Sequence, residues 1–246
     1  MRSRARDILF GLLCATLGAC VNPVLRDLDV ANLDSSCRLW AAFPDNVAAT
    51  DGRTKRWPTE RERIPVEMPA GADRERIERA LAEVERRLRG ETNTLFLRDG
   101  RPRERGYGLV ISMRTACGSG VEPGYVLCGN VSRGRGECGA PLPARGDRLY
   151  NTAGDLNGVL FVNLDTTDYE ATHECIVHEL GHALGLGAHF PGFADGDDAV
   201  SEHFWDVLRT LYDHPPGTPR NALHVVQAAP IAEVWRVAAQ QSACRK

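Results

Sequence analysis

The stretch Thr172–Phe190, THECIVHELGHALGLGAHF, limits what this chain can fold into more than any other. It holds His178, Glu179 and His182 in the order His-Glu-x-x-His. Those residues converge only on a helix, where positions four apart turn through about 400° and share a face. Two imidazole nitrogens can then reach one Zn²⁺ at about 2.0–2.1 Å. Glu179 stands about 100° away round the axis. That suits it to act as general base on a metal-bound water rather than to ligate the metal. Two histidines leave zinc short of a ligand. Gly185 tolerates positive φ, so it can end the helix and turn the chain sharply. His189 follows four residues later and can swing back to the metal. Glu202, Asp195 and Asp197 are its rivals as third ligand.

These residues resemble the HExxHxxGxxH pattern of the metzincin clan of zinc metallopeptidases. His178, Glu179, His182 and Gly185 match it. The clan's third-ligand position is Ala188 here, and the histidine stands one place later, with Gly187 placed to absorb the extra residue as a bulge. The methionines are Met1, Met68 and Met113, so none follows the motif to form the clan's methionine turn. The tract from Leu208 to Gly217 is similar to a segment of an uncharacterised bacterial zincin-like domain, and that likeness puts it in the equivalent floor; Thr218 stands where that group has methionine. The resemblance spans roughly residues 158–217, about a quarter of the chain.

The resemblance implies a zinc-dependent metallopeptidase with one catalytic Zn²⁺ on His178, His182 and His189. Glu179 would activate the zinc-bound water that hydrolyses a peptide bond, and Tyr212 would stabilise the transition state. A gluzincin-type peptidase would use Glu202 as third ligand instead. A different class of protein, a non-catalytic zincin-fold envelope binding protein, fits the displaced histidine and the missing methionine. Retention of Glu179 argues for the enzyme, since a structural site has no need of a general base.

The implied fold is α+β and zincin-like. It has a twisted mixed sheet of four to five strands, a backing helix, an active-site helix and a mainly helical C-terminal subdomain. Hydrophobic patterning supplies candidates for these elements. Ile64–Met68, Thr94–Leu97, Tyr107–Met113 and Gly158–Leu164 read as strands. Ile77, Leu81, Val84 and Leu88 recur at helical spacing between a cap at Asp73 and a stop at Gly90. Thr167–Glu170 fits a capping box for the metal helix, which runs to about Leu184. Ser201–Tyr212 and Pro230–Ser242 read as later helices. Residues 114–153 are rich in Gly, Pro, Arg and Cys and read as loops with one or two short strands, such as Tyr125–Cys128. On the family likeness, residues 120–153 hold an edge strand to which an extended substrate can add. His173, His203, His214 and His224 read as surface or structural histidines.

The N-terminus reads as an export signal. Arg2, Arg4 and Arg6 precede an apolar run from Ile8 to Ala19. Leu17-Gly18-Ala19-Cys20 resembles a bacterial lipobox, which implies cleavage before Cys20 and lipidation of that cysteine. Val21 at the next position implies sorting to the outer membrane, with the protein facing the periplasm or exported. The expected organisation is a signal peptide at 1–19, a tether and N-terminal wrap at 20–62, and a metallopeptidase-like domain at 63–246. Six further cysteines remain: Cys37, Cys117, Cys128, Cys138, Cys175 and Cys244. In an oxidising compartment they imply up to three disulfides. Export favours a disulfide at Cys37 over a thiolate that blocks the zinc. A net charge of −3 gives no electrostatic footprint for nucleic acid. The expected partners are a peptide or protein substrate and, through the lipid, a membrane.

Overall fold

Four short apolar runs pair in parallel to make the centre of the molecule, seen here in a computed structural model. The structure describes residues 47–49, 51–90, 94–114, 129–132, 150–165, 172–193 and 200–223. All of them fall within one unit, Phe43–Ala228. The strands are β1 (Ile64–Glu67), β2 (Phe96–Arg98), β3 (Gly108–Arg114), β4 (Gly129–Ser132) and β5 (Val159–Asp165). Their order across the sheet is β2-β1-β3-β5-β4. The pairs β1–β2, β1–β3 and β3–β5 are parallel, and β4 runs antiparallel to β5 as the last of the described strands on that side. Among the described residues the protein is thus mixed α/β, with a five-stranded mixed sheet and four helices.

A parallel pair needs a long crossover, and helix α1 (Ala72–Arg89) supplies it between β1 and β2. Ile77, Ala80, Leu81 and Val84 are fully buried along one stripe of α1. The opposite face carries ion pairs at helical spacing, Arg74–Glu78 and Arg79–Glu75 among them. Glu85 crosses to β2, accepting N–H bonds from Leu95 and Phe96 at 2.8 Å and pairing with Arg98. Asp73 does not cap α1. Gly71 is the N-cap, without a side-chain bond, and Asp73 instead pairs with Arg76 inside the first turn. A four-residue helix, α2 (Pro102–Arg105), was not expected; proline at its start and left-handed Gly106 at its end make it self-limiting.

Helix α3 (His173–Leu184) packs on α1, β4 and β5. Its N-cap is Thr172, whose hydroxyl accepts the Cys175 N–H. The helix therefore begins later than the expected capping box, which lies outside the described residues. The helix expected over Ser201–Tyr212 is α4 (Glu202–Asp213), with Ser201 as its N-cap, and it buries Phe204, Val207, Leu208 and Leu211. The second strand starts at Phe96 rather than Thr94. The described edge strand is Gly129–Ser132, within the span expected to hold it, while Tyr125–Cys128 and Pro230–Ser242 lie outside the described residues. So do the signal segment, Cys20, Cys37, Asp195 and Asp197. Among the described residues no helix is long and apolar enough to cross a membrane.

Residues 51–57, expected as part of a wrap, thread between distant loops. Thr54 N–H donates to the Thr218 carbonyl and Gly217 N–H to the Thr54 carbonyl. Arg56 bonds Gly154 and Leu156 through its backbone. Thr54, Lys55, Arg56 and Trp57 are all buried.

Candidate metal centre

The last two turns of α3 bring the expected histidines together. His178 is fully buried and His182 is 7 % exposed, whereas His189 is exposed. His189 reaches them from the loop after the helix. Its Nε2 lies 3.1 Å from His182 Nε2 and 3.3 Å from His178 Nε2. Among the described residues, His178, His182 and His189 form a group able to hold a metal ion. A tetrahedral site with arms of about 2.0–2.1 Å has ligand–ligand edges of about 3.3–3.4 Å. The observed separations are close to that requirement.

The loop that delivers His189 depends on Gly185. Its φ is 124°, and its N–H bonds back to the carbonyls of Gly181 and His182. A Cβ there would fall 2.0 Å from the Lys55 carbonyl oxygen, so both the backbone angle and the close approach require glycine. Gly187 is not among the glycines with positive φ, so the extra residue before His189 is accommodated without a left-handed bend there. His182 Nδ1 sits 2.8 Å from the Leu186 carbonyl oxygen. A carbonyl only accepts, so the proton of neutral His182 is on Nδ1 and the lone pair on Nε2, towards the other two histidines. Burial, with His178 close by, pushes the His182 pKa down to about 3. The imidazole is therefore neutral at pH 7, the form in which it ligates.

Phe193 forms the floor. Its ring centroid lies 4.6 Å from those of His178 and His182 and 5.8 Å from that of His189, and it is fully buried. Behind it stands Phe204 at 5.0 Å. Sequence reasoning placed the floor in the tract Leu208–Gly217 and overlooked Phe193. The available signal was the FPGF run directly after His189, whose two ends pair backbone to backbone, Phe190 with Phe193. Gly181, inside the His-Glu-x-x-His motif, leaves room for this packing. A Cβ there would stand 2.6 Å from Phe204 Cε2 and 3.0 Å from Phe193 Cε2.

Glu179 is 2 % exposed on the same helix. Glu202 is not part of the histidine group; Arg87 grips its carboxylate through both terminal nitrogens at 3.1 and 2.9 Å. Tyr212 is buried and its hydroxyl donates to the Leu184 carbonyl at 3.0 Å. Burial raises its pKa, so it is a neutral donor in a helix-end contact. His214 is likewise structural, with Nδ1 against the Thr210 carbonyl, and His173 pairs with Glu83.

Searches of protein-family models, curated proteins and solved structures find no match to this chain.

Proposed function

We propose that the protein is a zinc-dependent peptidase of metzincin-like construction. The observation that carries this reading is the convergence of three imidazoles, with His189 Nε2 at 3.1 and 3.3 Å from the Nε2 atoms of His182 and His178, which share their helix with Glu179. A soft-to-borderline, all-imidazole set suits Zn²⁺ among the common divalent ions. His178, His182 and His189 would hold the ion, and three protein ligands leave a fourth position open, as catalytic sites do. When bound, zinc supplies a Lewis acid at the scissile carbonyl. Glu179 takes a proton from the attacking water as the new C–O bond forms. It returns that proton to the amine nitrogen as the C–N bond breaks. Leu186 keeps the His182 tautomer fixed, and Phe193 keeps the three rings from turning away.

An extended peptide is the proposed substrate, on the likeness of residues 120–153 to the region that holds the clan's substrate-binding strand. Export with lipidation at Cys20 is part of the proposal, on the N-terminal pattern. The pairing of Glu202 with Arg87 favours His189 over Glu202 as third ligand.

The test is metal content beside peptidase activity. Wild type and Glu202→Ala should bind about one zinc each, and His189→Ala should lose it. Glu179→Gln should keep the zinc while peptide hydrolysis falls by about 10²–10⁴. Zinc without hydrolysis of any peptide by wild type would leave the binding scaffold as the better reading. Undiminished hydrolysis by Glu179→Gln would sink the mechanism.

A further inference from the structure

A helix leaves its last four carbonyls without intrahelical donors. In α3 these belong to Gly181, His182, Ala183 and Leu184, the turn that carries one candidate ligand and launches the loop to another. Two are met locally, Gly181 by the Leu186 N–H at 3.1 Å and His182 by the Gly185 N–H at 3.0 Å. The other two are met by residues far apart in the chain. Trp57 donates its indole N–H to the Ala183 carbonyl at 2.8 Å, and Tyr212 donates its hydroxyl to the Leu184 carbonyl at 3.0 Å. Arg56 joins these two anchors. It is next to Trp57 in the chain, lies 5.2 Å over the Tyr212 ring, and donates from Nε to the His214 carbonyl at 2.7 Å.

We propose that Trp57 and Tyr212 are positioning residues of the metal centre, and that residues 51–57 are a permanent part of it rather than a removable inhibitory segment. The proposal rests on the metal-binding reading above. Its physical content is register. His178 is one turn further into α3, whereas His182 and the loop bearing Leu186 and His189 hang on the helix end. Fixing the Ala183 and Leu184 carbonyls sets that end against the rest of the domain. The Lys55 carbonyl closes the same corner, since it fills the space beside Gly185 where any side chain would go. Release of the strap would free the turn from which His189 reaches back. Any activating cleavage must then fall before Asp51.

The test uses Trp57→Phe and Tyr212→Phe, singly and together, in the full chain. Each keeps its ring and removes only the donor. Co²⁺ is the probe, its affinity read by chelator competition and its ligand geometry by the visible d–d bands, beside the melting midpoint of the metal-free protein. The expected result is a Co²⁺ affinity about tenfold weaker for the double variant, with altered d–d bands. Unchanged affinity and bands, with only a lower melting midpoint, would reduce both bonds to ordinary structural ones and overturn the proposal. Failure of wild type to bind Co²⁺ or Zn²⁺ at all would instead overturn the metal reading, and the positioning role with it.

Discussion

His182 serves two neighbours with its two nitrogens, and that fixes much of the site. Nδ1 is committed to the Leu186 carbonyl, so Nε2 must face His189. Phe193 supports this from below without offering a polar atom. An aromatic face against three imidazoles excludes water from that side and limits their rotation. The prediction at this scale is for Phe193→Leu, which keeps an apolar side chain but loses the flat ring. Zinc affinity should weaken by about tenfold or more, read by competition with a chromophoric chelator. Wild-type affinity in a variant that still folds would reduce Phe193 to ordinary core packing. The motif residues were readable in the sequence because helical spacing alone aligns His178 with His182. Phe193 was not, because its role arises from a turn that folds it under the helix, and nothing in periodicity reports that. His189 was readable only as one of several ligands. What selects it is a backbone corner at Gly185, closed by a segment 130 positions earlier in the chain.

At the scale of elements, β4 is held by polar contacts as well as by the ladder. Asn163 on β5 lies directly opposite Ser112 on β3 and Asn130 on β4. Its side-chain oxygen accepts from Ser112 at 2.9 Å, and its amide donates to Asn130 at 2.9 Å and Ser132 at 3.2 Å. Asn163 is 2 % exposed, Ser112 and Ser132 are buried and Asn130 is half-buried, and this row sets the register of a strand only four residues long. Asn163→Leu should remove these three hydrogen bonds and cost about 1–3 kcal/mol in urea unfolding. Amide exchange should rise first in Gly129–Ser132; unchanged protection there would show that the ladder alone holds β4. Hydrophobic alternation revealed β1, β3 and β5 to within a residue or so, since their apolar runs are bounded by glycine or proline. It allowed one or two short strands in residues 114–153 but did not place β4, which reads GNVS and has little strand propensity of its own. It missed α2 as well, which is too short for any period to show.

Across the whole domain, the candidate metal group adds a link between parts that otherwise meet through packing and a few hydrogen bonds. Two ligands come from α3 and the third from a loop whose Phe193 packs on Phe204 of α4. That loop is in turn cornered by the strap at Lys55. A metal that binds only when these parts are assembled stabilises the folded state by mass action. At free zinc about one hundred times its dissociation constant, the gain is about 2.7 kcal/mol. For a domain of this size that corresponds to a melting midpoint about 5–10 °C higher. Chelation of the purified protein should therefore lower the midpoint by that amount, and added zinc should restore it. His189→Ala should melt near the chelated wild type and respond far less to zinc, because the loop no longer shares the ion with α3. Glu179→Gln should respond as wild type does, since its carboxylate is assigned to proton transfer and not to ligation. A chelator-insensitive midpoint in wild type would mean that the three histidines meet without an ion, and that the core, the strap and the Asn163 row suffice to hold the domain.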